Sequence, residues 1–179
     1  PRQVYWGDTH VHTALSGDAY ARETRLMPDA AYRFARGEEV LSNTGQPVKL
    51  RRPLDFVVLA DHANNAGAAY ARGRFDSEPP FRSSPLGELW GEAYATLAAT
   101  AGVNQEALKQ GSLLPTHRPD QIAVRLPEFR RHIWHEITAA AERYNDPGNF
   151  TAFIGYEWTP LRGAVHRVVI FADGAEKAS

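Results

Sequence analysis

Apolar and polar positions fall into blocks along the chain, and the blocks carry two different periods. Val4-Tyr5-Trp6 is a short β-prone run that empties into Gly7-Asp8 and a polar stretch, the pattern of a buried strand leading into a functional loop. Pro28 to Arg36 places proline in a first turn, Asp29 early and Arg33 and Arg36 late, which predicts a helix ended by Gly37. Residues 42–53, with Asn43, Gly45, Pro47 and Pro53, predict an irregular excursion or short hairpin. Leu54 to Ala60 is apolar almost throughout and predicts a strand buried on both faces. Leu89, Trp90, Tyr94 and Leu97 then recur at helical spacing, inside an insertion of about 73–126 that opens with aperiodic, proline-rich sequence. From Pro127, the stripe Phe129, Ile133, Ile137, Ala141 and Tyr144 predicts a long amphipathic helix, closed by Asn145-Asp146-Pro147-Gly148. Phe150 to Trp158 and Val165 to Ala172 predict two further strands.

Strands alternating with helices give an α/β fold class in one domain, with the chemistry expected at the strands' carboxyl ends. With 179 residues, 43% of them hydrophobic and 23% charged, the chain has enough apolar material for such a domain. The net charge of -1 lacks the basic excess of a phosphate-tracking protein, so nucleic acid is not an expected partner. The longest apolar runs, Phe56 to Ala60 and Val168 to Ala172, fall far short of the roughly 20 residues of a membrane span. Cys 0 excludes thiolate sites, disulfides and cysteine nucleophiles, which leaves the histidines and acids as the reactive groups. The start at Pro1, with Met27 the single methionine, reads as a processed or cut end; removal of a signal peptide there would make the protein periplasmic or secreted.

The sharpest feature is Asp8-Thr9-His10-Val11-His12 directly after the first predicted strand. Residues two apart on an extended segment point the same way, so His10 and His12, with Asp8 in phase, can converge on one cation. Asp61-His62 ends the second predicted strand, where a carboxylate and an imidazole delivered by an apolar strand call for a partner. Glu157 ends the third and His166 opens the fourth, so successive strands present oxygen and imidazole donors at one end, a set that suits zinc, manganese or iron. Glu157 could otherwise pair with Arg162 or Arg167. His132 and His135, three apart on the long helix, flank its apolar stripe and are expected to bind no catalytic metal, and His117 reads as a loop residue. Trp6, Trp90, Trp134 and Trp158 read as core, with Trp158 also able to wall a pocket beside Glu157. Arg22, Arg25, Arg162 and Arg167 are candidates to receive an anionic substrate, and Arg167, beside His166, is the one assigned to the site.

The segment Tyr5-Trp6-Gly7-Asp8-Thr9-His10-Val11-His12-Thr13-Ala14-Leu15-Ser16-Gly17-Asp18-Ala19 resembles the first motif of the PHP (polymerase and histidinol phosphatase) superfamily of metal-dependent phosphoesterases, and it is closest to the DUF3604 group. The pattern continues through Ala30 to Glu38, Leu54 to His62, Phe153 to Trp158 and His166-Arg167. The resemblance implies that His10, His12, Asp18, His62, Glu157 and His166 are metal ligands, with Glu157 bridging two metals. It also implies two or three divalent ions, zinc, manganese or iron, and the N-terminal part of a distorted (β/α)7 PHP-like barrel carrying a helical insertion. Ala60 stands where the family usually has threonine or serine before Asp-His, Asp18 where it often has histidine, and no Asp-x-His motif follows His166. The expectation is therefore that a missing C-terminal segment or a second chain completes the fold and the site, covering an open edge near Val168 to Phe171.

Cations so held would lower the pKa of a bridging water and furnish a hydroxide nucleophile without cysteine or serine. The expected function is a metal-dependent hydrolase of small anionic substrates, phosphate esters foremost, with Asp61 orienting His62 or shuttling a proton. The alternatives are hydrolysis of carboxylic esters or amides, and a non-catalytic PHP-like domain that binds metal or serves structure.

Overall fold

A computed structural model describes residues 3–101, 126–160 and 165–178. Its order is β1 (Gly7–Val11), α1 (Gly17–Ala21), α2 (Pro28–Ala35), β2 (Val40–Leu41), β3 (Pro47–Val48), β4 (Phe56–Leu59), α3 (Ala68–Ser77), a 3-10 turn (Pro79–Ser83), α4 (Pro85–Ala101), α5 (Pro127–Tyr144), β5 (Thr151–Phe153), β6 (Gly155–Trp158), β7 (Arg167–Ile170) and α6 (Ala175–Ala178). The protein is thus mixed α/β. A small parallel sheet of order β1-β4-β5 stands at its centre, with a β2-β3 hairpin and an antiparallel β6-β7 pair beside it. The predicted irregular excursion is that β2-β3 hairpin, and residues 102–125 of the predicted insertion, His117 among them, lie outside the described residues.

The central strand is the apolar one. Val57, Val58 and Leu59 are buried because β4 has a strand on each side and helices on its faces, as a near-continuous apolar run requires. The edge strand β1 is polar, and it starts one run later than the hydrophobic pattern predicts. Val4, Tyr5 and Trp6 are 65%, 63% and 59% exposed, whereas pairing begins at Gly7 opposite Phe56. The reason is local: the Trp6 N–H donates to the Asp55 carboxylate at 2.7 Å and the Asp55 N–H donates to the Trp6 carbonyl at 2.7 Å, which fixes where the ladder can start. Trp6 is therefore no core residue. The β1-β4 register also slips between Asp8 and Val11, a bulge-like irregularity beside the two histidines.

Helix α5 keeps the stripe read from the sequence and divides it between two cores. Phe129, Ile133 and Ile137 pack with Leu15, Phe81, Leu86 and Trp90. Ala140 and Ala141 pack with Tyr32, Val57, Leu59 and Phe150, and Tyr144 stacks on Tyr32 at 5.7 Å. Trp134 touches both clusters and donates from Nε1 to the Ala178 carbonyl at 2.9 Å. Helix α2 likewise has Pro28 in its first turn and stops before Gly37, whose φ of +78° glycine adopts at little cost.

The one continuous strand predicted over Phe150 to Trp158 is two strands. Thr151–Phe153 extend the parallel sheet, then the chain leaves it at Ile154 and Gly155–Trp158 pair antiparallel with β7. Gly155 makes the change of sheet, since a Cβ there would lie 2.5 Å from Val58 Cγ1 and 2.8 Å from the Val169 carbonyl oxygen. Gly155→Ala should therefore destabilise the fold by about 1–3 kcal/mol through overpacking. Urea denaturation is the check, and an unchanged midpoint would show that the β6-β7 pair moves freely against β4.

Candidate metal centre

Four chain segments meet beyond the carboxyl ends of β1 and β4. The end of β1 and the residue after it supply His10 and His12; the first turn of α1 supplies Asp18. Asp61 and His62 follow β4, Glu157 sits near the end of β6, and His166 immediately precedes β7. Glu157 reaches the group because the chain, having left the β4–β5 ladder at Ile154, makes an isolated parallel bridge to His62. The Glu157 N–H donates to the Asp61 carbonyl at 3.0 Å and the Ala63 N–H donates to the Glu157 carbonyl at 2.9 Å, which sets Glu157 beside His62. His166 arrives from across the hairpin, where Glu157 pairs with Val168 and His166 lies two residues on, on the same face.

Glu157 is the hub, 2% exposed. Its Oε2 lies 3.1 Å from His10 Nε2, 2.9 Å from His12 Nε2 and 3.3 Å from His62 Nδ1, and its Oε1 lies 2.8 Å from His166 Nδ1. His10 and His12 bring their Nε2 atoms within 3.1 Å of each other. On the other side of His12, Nδ1 is 3.0 Å from Asp18 Oδ1, which is 4.0 Å from His62 Nε2. Three donor groups result: His10, His12 and Glu157; His12, Asp18 and His62; His62, Glu157 and His166. All six residues that the family resemblance marks as ligands are thereby brought together.

The ionisation of these groups suits a cation. Burial pushes the Asp18 carboxyl up, yet hydrogen bonds from Ser16, His12 and the Ala19 N–H outweigh it and hold the group at about 2. For Glu157, too, burial acts upward and is outweighed by His10, His62 and His166, so the carboxyl titrates below its ordinary range. Burial draws His62 down against the pull of Glu157 and Asp18, which favours the neutral ring with its lone pair free. Lone pairs on nitrogen and oxygen about 3 Å apart repel unless a proton or a cation lies between them, and donors around one cation at about 2.0–2.2 Å are separated by roughly that distance. The residues present therefore fit divalent ions.

Two sequence expectations change. Asp61, 1% exposed, makes no hydrogen bond to the His62 ring, whose polar neighbours are Thr159, Glu157 and Asp18. It accepts the Thr13 N–H at 2.6 Å and the Thr13 hydroxyl at 2.7 Å, and so clamps the β1–α1 loop to the end of β4. Arg167 is exposed and paired opposite Trp158, so strand alternation turns its side chain to the face away from Glu157 and Val168. Of the other arginines, Arg22 reaches Asp18 at 3.3 Å and Arg25 lies 3.9 Å over the Tyr20 ring, while Arg162 is outside the described residues. His132 and His135 stay on the flank of α5 and belong to none of the donor groups. Asp8 accepts the His10 N–H at 2.8 Å and is in no donor group either. Trp158 is 46% exposed beside Glu157.

Sequence reasoning missed three hydroxyls, Thr13, Ser16 and Thr159. Ser16 Oγ donates to Asp18 Oδ1 at 2.7 Å and receives the His62 N–H at 3.3 Å; Thr159 Oγ1 lies 2.8 Å from His62 Nδ1. Serine and threonine are too common for their identity to signal this. Behind the centre, a cavity of about 460 Å³ lies between α5 and the hairpin, lined by Trp134, Tyr156 and Phe171 and holding none of the six ligands.

The family model described as Protein of unknown function (DUF3604) matches residues 1–179. No curated protein and no solved structure matches the chain.

Because the folded Asp18 titrates at about 2 against an ordinary 3.8, its contribution to stability is complete above 3.8 and is lost as pH falls toward 2. In metal-free protein, acid unfolding of Asp18→Asn should depend less steeply on pH across that window than wild type. Parallel curves would place the Asp18 carboxylate outside the network. Asp61→Ala, which leaves the buried Thr13 N–H without an acceptor, should cost about 1–3 kcal/mol in denaturant melts; no loss would mean that the loop is held by other contacts.

Proposed function

The chain belongs to the DUF3604 family, and we propose that it is a PHP-like, metal-dependent hydrolase acting on phosphate esters. The observation that carries the reading is the Glu157 carboxylate, buried with each oxygen directed at imidazole nitrogens of different chain segments. A buried carboxylate that merely stabilised a fold would be satisfied by one or two protonated partners. Here Oε2 alone faces His10, His12 and His62, more nitrogen donors than one oxygen can hydrogen-bond well. The parallel sheet with the site beyond its carboxyl ends supports the further proposal that β1, β4 and β5 are the first strands of a PHP-like barrel.

His10, His12 and Glu157 would hold one cation, Asp18 and His62 a second, and His166 with the other Glu157 oxygen a third. Two or three divalent ions, zinc, manganese or iron, would activate a water and polarise the ester oxygen when bound. The chain's own part is positional. Glu157 ties the two ends of the cluster together, and Asp61 keeps the loop bearing His12 and Asp18 on the end of β4. His10, 49% exposed, marks the side from which a substrate enters. Asp18 and Glu157, both held ionised, are the negative charges that such cations would meet. Arg22, the arginine that reaches the cluster, is already drawn to Asp18.

Metal analysis of the purified protein, followed by assays with p-nitrophenyl phosphate and p-nitrophenyl acetate, tests the proposal. Bound divalent metal and chelator-sensitive release from the phosphate ester are expected. Glu157→Gln should lose metal and turnover by more than the roughly 10–100-fold that removal of an outer hydrogen-bond partner costs. Release from the acetate alone would assign a carboxylic esterase, and firm metal binding without either reaction would leave a structural metal domain.

A further inference from the structure

His12 and His62 each take part in two of the three donor groups, yet a neutral imidazole has a single lone pair to give. Which nitrogen carries the proton therefore decides how the cluster is divided. We propose that two hydroxyls, Ser16 and Thr159, are positioning residues that hold His12 and His62 with the proton on Nδ1, so that each ring offers Nε2 to one cation only. The inference rests on the metal-dependent reading above.

Ser16 is fully buried, and its hydroxyl has one proton to donate. That proton goes to Asp18 Oδ1, the shortest contact at 2.7 Å. The oxygen's lone pairs remain for donors, and two are present: the His62 N–H at 3.3 Å and His12 Nδ1 at 3.2 Å. The second neighbour of His12 Nδ1 is Asp18 Oδ1 at 3.0 Å, a carboxylate that can only accept. With acceptors on both sides, His12 Nδ1 must carry the proton. Its lone pair is left on Nε2, which stands 3.1 Å from His10 Nε2 and 2.9 Å from Glu157 Oε2. His12 thus goes to the His10 and Glu157 group and not to the Asp18 group.

The same logic applies to His62. Its Nδ1 lies 2.8 Å from Thr159 Oγ1 and 3.3 Å from Glu157 Oε2. The carboxylate only accepts while the hydroxyl does either, so a proton on Nδ1 satisfies both. Nε2 then faces Asp18 Oδ1 at 4.0 Å. Three cation positions follow that share no imidazole: His10 with His12 and Glu157 Oε2, His62 with Asp18, and His166 with Glu157 Oε1. Ser16 is the joint between the first two, because one oxygen touches the His12 ring, the Asp18 carboxylate and the His62 backbone at once.

The test is zinc titration of protein labelled with 15N-histidine. Long-range proton–nitrogen spectra distinguish a metal-bound Nε2 from a metal-bound Nδ1, and a competing chromophoric chelator gives affinity. In zinc-loaded wild type, His12 and His62 should both show Nδ1–H and metal-bound Nε2. Ser16→Ala, which leaves Asp18 Oδ1 as the acceptor of the His12 Nδ1 proton, should weaken that signature at His12 and zinc affinity about 10–100-fold, and Thr159→Val should do so at His62, where Glu157 Oε2 remains. Ser16→Thr and Thr159→Ser, which restore the hydroxyl, should restore the signature. Thr159 is only half-buried, so its variants carry the test even if Ser16→Ala fails to fold. Either ring bound through Nδ1, or wild-type signatures and affinity in both hydroxyl-free variants, overturns the proposal and leaves the metal centre standing. Histidine nitrogens in wild type that do not respond to zinc remove the centre itself, and the proposal with it.

Discussion

One buried carboxylate imposes most of the constraints on this fold. Glu157 has almost no contact with water, and an ionised carboxylate in that position costs several kcal/mol unless both oxygens are compensated. Its oxygens are directed at His10, His12, His62 and His166, which belong to segments up to 147 residues away. Those segments must therefore end at one place. The parallel β1-β4-β5 sheet brings its carboxyl ends to a single edge, and the β6-β7 hairpin folds over that edge to deliver the carboxylate and the fourth imidazole.

The scaffold around the cluster uses short polar contacts where a core would be too coarse. Thr13 is clamped by Asp61 through both its N–H and its hydroxyl, and Leu15 donates its N–H to the same hydroxyl at 3.2 Å. This fixes the loop from which Ser16 and Asp18 project. Because Asp61 is buried, its carboxyl is pushed upward despite the two Thr13 hydrogen bonds, so the clamp is held against a desolvation cost. The apolar cores on α5 supply what offsets such costs. Neither core contains a ligand, which keeps packing and chemistry on separate residues.

How much of this was legible in the sequence follows from what periodicity can and cannot encode. Helix α5, helix α2 and strand β4 were readable because each has a long, one-sided or fully apolar pattern. The start of β1 was not, since an edge strand made of Gly-Asp-Thr-His-Val buries almost nothing and leaves no hydrophobic trace. The break at Ile154 was hidden for the opposite reason: both β5 and β6 are apolar, so a change of partner looks like one strand. The histidines and carboxylates that the structure brings together were picked out by type and position, helped by the family pattern. Arg167 was placed in the site by proximity to His166, although neighbours in a strand point to opposite faces. Asp61 was given to His62 by adjacency, and its true partner, Thr13, is 48 residues away.

The charge balance of the cluster sets an order on the proposed function. Two ionised carboxylates, Asp18 and Glu157, lie among rings of which His62 is biased to neutrality, and they are the fixed negative charges of the centre. Of the arginines read as candidates for an anionic substrate, Arg22 is already drawn to Asp18, Arg25 sits on the Tyr20 ring, and Arg167 faces the other way. A phosphate ester approaching the bare cluster would meet these two carboxylates at close range. Divalent ions held there would outweigh the two carboxylates and become the largest local charges. Under the proposed function, then, anionic substrates bind only after the cations. Affinity for substrate is therefore an indirect product of the contacts that hold Glu157 and Asp18 ionised and in place.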